Sequence, residues 1–519
     1  MSWFGGRAAG GRLILMRENA MAGTGRSWLL GVLAVAGVLA ASGFATGPSA
    51  ASGDAGSLAG GAGTAASGAW GKALTLGGLA KSGYSSVTAI SCSSAGNCSA
   101  VGSYRGGQVF TVSQVRGTWG KPEVIPGLAQ TSKPSSSASG LRCFSTGGCV
   151  LIGSYTDAAG HAQAFIASKV RGTWHKIIWV PGLARLNRGN HAGLDEFSCP
   201  SAGNCTAVGS YTDGEGAGHQ FVVSQARGTW GTARPVPQLT GLPGETPGTT
   251  AGFGPISCAS AGNCAVGGSY AVSGGNQVYL EDEVHGTWGT PEAVPGLAVL
   301  NTGLGDEISF VSCPSAGNCT AAGFYTETEG NSDSFVVSET RGTWGTAIEV
   351  ATSIPGFNGP DGDWITALSC PSAGNCVAGG VDNVERDALA SQVFIVTQVH
   401  GTWGKAIPVP GTTKINQGDQ AWLNQISCSS AGNCGIAGYF SVAYDYGFVY
   451  TQPFVVNQVH GTWGKAIEVP GIKPLPLSDG QSAGTTTIAC SAPDRCSAGG
   501  YRDYASTGIE GNAFVDSQS

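Results

Sequence analysis

Charge is scarce in this chain: Asp, Glu, Lys and Arg together make up 11% of 519 residues. Long surface helices need a charged face, and outside one early apolar run no window keeps a helical period, which excludes a helical protein. Positive charge is scarcer still. The first 50 residues hold Arg7, Arg12, Arg17 and Arg26 against Glu18, which leaves 22 basic and 32 acidic side chains in the remainder. That balance argues against nucleic acid or an anionic membrane as the main partner. A phosphate-cradling G-x-x-x-x-G-K is missing. No cofactor is expected.

What the chain does have is repetition. Two cysteines with five residues between them recur as Cys92 and Cys98, Cys143 and Cys149, Cys199 and Cys205, Cys258 and Cys264, Cys313 and Cys319, Cys370 and Cys376, Cys428 and Cys434, and Cys490 and Cys496, which uses all 16 cysteines. A second motif, usually GTWG, places Trp70, Trp119, Trp174, Trp230, Trp288, Trp344, Trp403 and Trp463 at spacings of 49 to 60 residues. A period of that size indicates a propeller, solenoid or array. The 86 glycines suit short strands and tight turns.

The run from Trp28 to Ala41, WLLGVLAVAGVLAA, follows an arginine-containing start and leads into small residues, as a secretory signal does. Residues 1–50 are therefore read as a signal region, cleaved between about Ala45 and Ala51. An uncleaved anchor is the alternative, since Ser27 to Thr46 is uncharged. Nothing ahead of Met21 adds what a signal needs. Residues 51–66 read as a flexible Gly/Ala/Ser linker. Export gives the cysteine pairs their meaning: in an oxidising compartment they are expected as eight local disulfides. Zinc is the competing reading, but its thiolate pairs are closer spaced and come with further Cys or His at fixed offsets.

Each unit reads as four short strands: a ends at the first cysteine, b begins at the second, c is an alternating run such as Gln108 to Val115, and d begins at the tryptophan. The a–b turn is usually S-A-G-N, and the c–d turn is Arg-Gly or His-Gly before Thr-Trp. Glycine recurs in strand b at Gly102, Gly153, Gly209, Gly267, Gly323, Gly379, Gly438 and Gly499, which suggests close approach of a neighbouring sheet. The chain opens with a lone strand d at Trp70, and its last unit has a, b and c but no GTWG. The two ends complete each other. The expected fold is all-β, a single eight-bladed β-propeller over residues 67–519, closed by an N-terminal outer strand that pairs with the last blade. A β-solenoid would not need that complementary truncation.

The segments SQVRGTWG, SETRGTWG and SKVRGTWH resemble the Asp-box hairpins, also called BNR repeats, of sialidase-like propellers. The resemblance covers about eight residues per unit and lacks the aspartate and one residue of the spacing. The whole unit also resembles repeats of secreted bacterial proteins. A sialidase relation implies an arginine cluster for a carboxylate, a tyrosine nucleophile with a glutamate partner, and an acid aspartate. Here Arg116, Arg171, Arg227 and Arg341 sit in the repeated turns, and Arg185, Arg188, Arg386 and Arg502 are scattered.

Alternating strands put the a–b and c–d turns on one face of the ring and the variable b–c loops and d–a linkers on the other, where a site is expected. Trp364 and Trp422 each stand six residues before the first cysteine of adjacent blades, and Tyr444, Tyr446 and Phe448 lie in the b–c loop of the second. Such side chains can stack on sugar rings or on a peptide; blade-top packing is the alternative. His161, His191 and His219, near Asp157, Asp213 and Glu215, have the chemistry for a transition metal, with solvated polar loops as the alternative. His285, His400 and His460 replace arginine in the c–d turn. The sequence thus points to a secreted, monomeric binding propeller for a surface glycan, cell-wall polymer or exported protein. A glycoside hydrolase or lyase on the same scaffold, and a purely structural surface protein, are the other classes it admits.

Overall fold

Every repeat folds as one antiparallel sheet with strand order a-b-c-d, and eight such sheets make the ring. The computed structural model describes residues 68–79, 84–104, 107–128, 135–236, 241–246, 252–301, 305–327, 332–350, 362–383, 391–418, 420–445, 448–472, 482–504 and 510–518. The signal and linker expected over residues 1–66 lie outside them. Among the described residues no helix is long and apolar enough to cross a membrane. Blade 1 shows the plan: strand a is Ser85–Ser94, b Asn97–Tyr104, c Gln108–Val115, and d begins at Thr118–Trp119.

Strand d is interrupted. Trp119 pairs with Gln114 and Val124 with Phe110, so strand d carries one residue more than strand c between these pairs, a β-bulge. Strand a bulges too, between Val87 and Ala89. That bulge brings the strand-a backbone over strand b, and the recurring glycine makes room for it. A Cβ on Gly102 would lie 2.0 Å from the Ser86 carbonyl oxygen and 2.7 Å from the Phe110 ring. Phe110 and its counterparts Phe165, Phe221, Tyr279, Phe335, Phe394, Phe454 and Phe514 are all buried to 1% exposure or less, so each blade core is an aromatic ring laid over a glycine. In blades 4, 6 and 8 that glycine is Gly268, Gly380 or Gly500, one residue beyond the position expected. The preceding Gly267, Gly379 and Gly499 are the ones that meet the neighbouring blade, through Ile308, Leu423 and Val87.

All eight expected disulfides are formed, each between strands a and b of one blade. Cys92 is bonded to Cys98, Cys143 to Cys149, Cys199 to Cys205 and Cys258 to Cys264 in blades 1 to 4. Cys313 is bonded to Cys319, Cys370 to Cys376, Cys428 to Cys434 and Cys490 to Cys496 in blades 5 to 8. The second cysteine of each pair opens strand b inside the core: Cys98, Cys149, Cys205, Cys264, Cys319, Cys376, Cys434 and Cys496 are all 5% exposed or less. No free cysteine is left, so the zinc alternative fails for want of a thiolate.

The repeated motifs also hold the blades together. In six seams the serine ahead of the first cysteine accepts a hydrogen bond from the first-cysteine N–H of the next blade, as Ser91 does from Cys143 at 2.9 Å and Ser427 from Cys490 at 2.9 Å. Arg142 and Ala489 hold that position in the other two.

On the turn face, Gly117 N donates to Gly96 O at 2.8 Å and Arg116 N to Asn97 Oδ1 at 3.2 Å, locking the two turns of a blade together. Arg116 and Gly117 both have positive φ (51° and 84°), as a tight hairpin turn of this hand requires. His285, His400 and His460 share that left-handed geometry, which gives them a turn role. Closure follows the expected route: Leu74 pairs with Val515, Thr75 with Phe514, and Trp70 bridges Gln518, which completes blade 8 with the first strand of the ring. Trp70 and Leu76 are buried in the closing seam.

Candidate functional site

The face opposite the locked turns changes from blade to blade, and one group of its aromatic side chains spans blades 7, 8 and 1. Trp422, near the start of strand a of blade 7 (Ala421–Ser430), is the register partner of Tyr439 in strand b (Asn433–Asp445). Residues directly opposed in an antiparallel pair point to the same side, so indole and phenol lie side by side. Tyr439 adjoins Tyr501 of blade 8, and its pKa is pushed up to about 12 by burial and then by Tyr501. Tyr501 in turn meets Tyr84, with ring centroids 6.0 Å apart at 49°. Trp422, Tyr439 and Tyr501 are partly buried, whereas Tyr84 is 43% exposed. The result is an aromatic path across three blades. Opposite Tyr501 stands Gly484, where a Cβ would come within 3.1 Å of the ring, so the glycine gives the phenol its seat.

Trp364 occupies the same position on blade 6, partly buried, but its register partner is Val381. The path is therefore carried by Trp422, with Trp364 one blade away. In blade 7 strands b and c run to 13 and 12 residues against eight to ten elsewhere among b and c, so this hairpin projects beyond its neighbours. Tyr444 and Phe448 belong to its two strands, and Tyr446 lies outside the described residues.

The three histidines do not form one centre. His161 Nδ1 lies 3.6 Å from Asp157 Oδ2, and His219 Nε2 lies 2.7 Å from Asp213 Oδ2 while its ring stacks on Tyr211. His191 donates its backbone N–H to Asn187 Oδ1 at 2.8 Å. Among the described residues no group of three His, Cys, Asp or Glu side chains is placed to hold a metal ion. The aspartates also shape their loops: Asp157 Oδ1 accepts from Ala159 N and His161 N, and Asp213 Oδ1 from Glu215 N and Ala217 N.

On the same face, between blades 5 and 6, carboxyl groups gather with no ion pair among the described residues. Asp363 is 5% exposed and accepts a 2.7 Å hydrogen bond from Ser334 N, and its register partner Asp382 is 4% exposed. Burial, with repulsion from neighbouring carboxylates including Asp333, pushes Asp363 to about 7 and Asp382 to about 8. Burial, and then the charges of Glu327 and Glu349, raise Asp333 to about 6. The carboxyl groups of Asp363 and Asp382 are thus shifted well above the ordinary carboxylate range, the direction a general acid needs.

No family model matches the chain, and a search of curated proteins finds no match. Among solved structures, the β-propeller domain of the Trilobed protease from Pyrococcus furiosus is similar at 6% identity and a TM-score of 0.42, over 75% of this chain and 100% of that one. YCF48 from Cyanidioschyzon merolae is similar at 10% identity and a TM-score of 0.39, over 86% and 98% of the two chains. The six-bladed fungal lectin of Aleuria aurantia is similar at 13% identity and a TM-score of 0.31, over 64% and 94%. Likeness at this level carries nothing about ligand or chemistry.

Sequence reasoning named Trp422 but not its neighbours Tyr439, Tyr501 and Tyr84. A signal for two of them was present. The residue after the core glycine of strand b is Ser103, Ser154, Ser210 and Ser269 in the first four blades, and Tyr439 and Tyr501 in the last two. The carboxyl cluster had no such signal, because its members come from two blades and no shared motif.

Proposed function

We propose that this protein is a secreted binding propeller that recognises a surface glycan or cell-wall polymer through the aromatic path Trp422–Tyr439–Tyr501–Tyr84. The single observation that carries this reading is the path itself: amphipathic rings from three blades, partly exposed, on the face that varies. Such rings offer flat apolar area with a polar edge at low entropic cost, which suits a sugar chain. Eight disulfides fit the oxidising compartment where such ligands are met. The test is binding of the protein from residue 51 onward to a panel of glycans and purified cell-wall polymers, alongside Trp422→Ala and Tyr501→Ala. Saturable binding that each variant weakens about tenfold, a loss of about 1.4 kcal/mol, supports the reading. Binding indifferent to both variants refutes it.

A polysaccharide hydrolase or lyase is the second reading, and the specific observation behind it is the carboxyl cluster of Asp333, Asp363 and Asp382. Analysing the same incubations for released products separates the two. Product formation that disappears in Asp382→Asn would favour the enzyme.

A further inference from the structure

Three seams on the turn face carry the same pattern of a donor crossing to a serine. The strand-c residue that pairs with the tryptophan is Gln114, Lys169, Gln225, Glu283, Glu339, Gln398 or Gln458 in blades 1 to 7. The residue before it is usually serine. Gln114 Nε2 crosses the seam to Ser517 Oγ at 3.0 Å and Gln398 Nε2 to Ser338 Oγ at 3.0 Å. The tryptophans join them, Trp119 Nε1 to Ser517 Oγ at 3.2 Å and Trp403 Nε1 to Ser338 Oγ at 3.4 Å. Between blades 1 and 2 the donor is an ammonium: Lys169 Nζ reaches Ser113 Oγ and lies 5.8 Å from the centroid of the Trp174 ring, and burial lowers its pKa while Glu123 partly offsets that.

The seam between blades 4 and 5 reverses this. Asp282 stands where the serine would be, Glu339 where Gln or Lys169 would be, and Glu292 at the place of Glu123. Asp282 Oδ2 takes the Trp344 Nε1 hydrogen bond at 3.0 Å, so the acceptor half of the pattern is intact. The donor half is missing. Glu339 is 5% exposed and its Oε2 has no hydrogen-bond partner, an oxygen left open at the equivalent Gln114, Gln225, Gln398 and Gln458 as well, but here it belongs to a carboxyl group. It lines a groove of about 550 Å³ together with Glu281, Asp282, Glu292 and Arg341. Burial, Asp282 and Glu292 hold the Glu339 carboxyl at about 7. Arg341 and His285, in the two turns at the rim, also face the groove, yet the ion pairs among the described residues are the two His–Asp contacts of the other face.

We infer that this groove binds an organic cation bearing a primary ammonium group, held by Asp282, Glu292 and Glu339 beside Trp344, in the place that Lys169 Nζ fills between blades 1 and 2. The molecule supplies its own precedent for an ammonium in this setting. A cation reaching the seam from outside satisfies the buried Oε2 and relieves the repulsion among three carboxylates. Two sources share this chemistry, a lysine side chain of a partner protein and a free polyamine.

The test is calorimetric titration of the protein at pH 8 and low salt with spermidine, with a lysine-rich peptide and with calcium chloride. Glu339→Lys supplies a tethered ammonium and is expected to abolish ammonium binding while raising the melting temperature. Asp282→Ser with Glu339→Gln restores the pair found in two of the other seams and is expected to weaken binding at least thirtyfold with the fold intact. Binding should also fade as the pH falls below about 7, where Glu339 takes up a proton. A peptide at least tenfold tighter than spermidine assigns the site to a protein partner, and the reverse order to a polyamine. Ammonium probes that give no saturable heat, affinities unchanged in both variants, or calcium alone binding in a variant-sensitive way would each overturn the inference. Binding to glycans, which concerns the opposite face, is expected to be the same in all these variants.

Discussion

Asp516 lies at the closing seam of the ring, at the position held by Val112, Val223, Val337, Val396 and Val456 in other blades. It is 2% exposed, its Oδ1 accepts the N–H of Ser517 at 2.7 Å, and its Oδ2 has no hydrogen-bond partner. The closing strand covers it, since a Cβ on Gly71 would be 3.2 Å from Oδ1. Burial, offset in part by the Ser517 N–H, pushes its pKa to about 7. An acid whose pKa is higher folded than unfolded binds its proton more tightly in the folded state. Its cost to stability is absent below the unfolded pKa near 4 and complete above about 7, so stability falls as the pH rises through that window. Some three pKa units correspond to about 4 kcal/mol at pH 8 and about 1.5 kcal/mol at pH 5. Asp516→Val removes this cost and gives up the Ser517 hydrogen bond, worth about 1 kcal/mol at any pH. The net gain is then about 3 kcal/mol at pH 8 and about 0.5 kcal/mol at pH 5. With an unfolding entropy near 0.9 kcal/mol per kelvin for a ring of roughly 450 residues, the melting temperature should rise by about 3 °C at pH 8 and by under about 1 °C at pH 5. Scanning calorimetry of both proteins at the two pH values measures this. A variant that melts lower at pH 8, or gains equally at both, would refute the reasoning.

Deleting Gly68–Leu76 should open the ring: it removes the Gly71 N–Ser517 O and Leu76 N–Ala513 O bonds and the burial of Trp70 and Leu76. The apolar part alone is about 3–6 kcal/mol, and the bared edge of strand c in blade 8 invites association, so a lower melting temperature with oligomers in gel filtration is expected. Unchanged melting would sink the closure. Gly102→Ala places a methyl 2.0 Å from the Ser86 carbonyl oxygen and should prevent folding or cost at least about 3 kcal/mol, whereas Gly77→Ala, with nothing within 4 Å, should be nearly neutral by chemical denaturation. Replacing Cys92 and Cys98 together by serine should cost about 2 kcal/mol in the same assay, the chain-entropy value for so short a loop. A loss several times larger would mean that the bond shapes the blade as well as tethering it.

The fold was legible because its determinants are local or periodic. A disulfide partner stands six residues away, a turn is written in Ala95-Gly96-Asn97 or Arg116-Gly117, and the missing strand of the last repeat is visible at Trp70. Strand d was expected to run without a break, and its bulge went unread because residues 120 to 122 look as extended as their neighbours. The glycine of strand b was seen as a mark of close approach, but which backbone approaches depends on a bulge in strand a that no residue type announces.

What the sequence alone determined is the strand plan, turns and disulfide of one repeat, together with the count of repeats and the complementarity of the ends, since each rests on spacing, alternation and turn chemistry. What only the tertiary structure decided lies between repeats. Tyr84 and Tyr501 stand at opposite ends of the chain and meet because the ring closes. Asp282 and Glu339 face each other because consecutive blades share a seam, and there a serine and a glutamine have become two acids. Neither pair has a fixed offset along the chain. Their meaning comes from the radial stacking of blades, which turns equivalent positions of successive repeats into contacts.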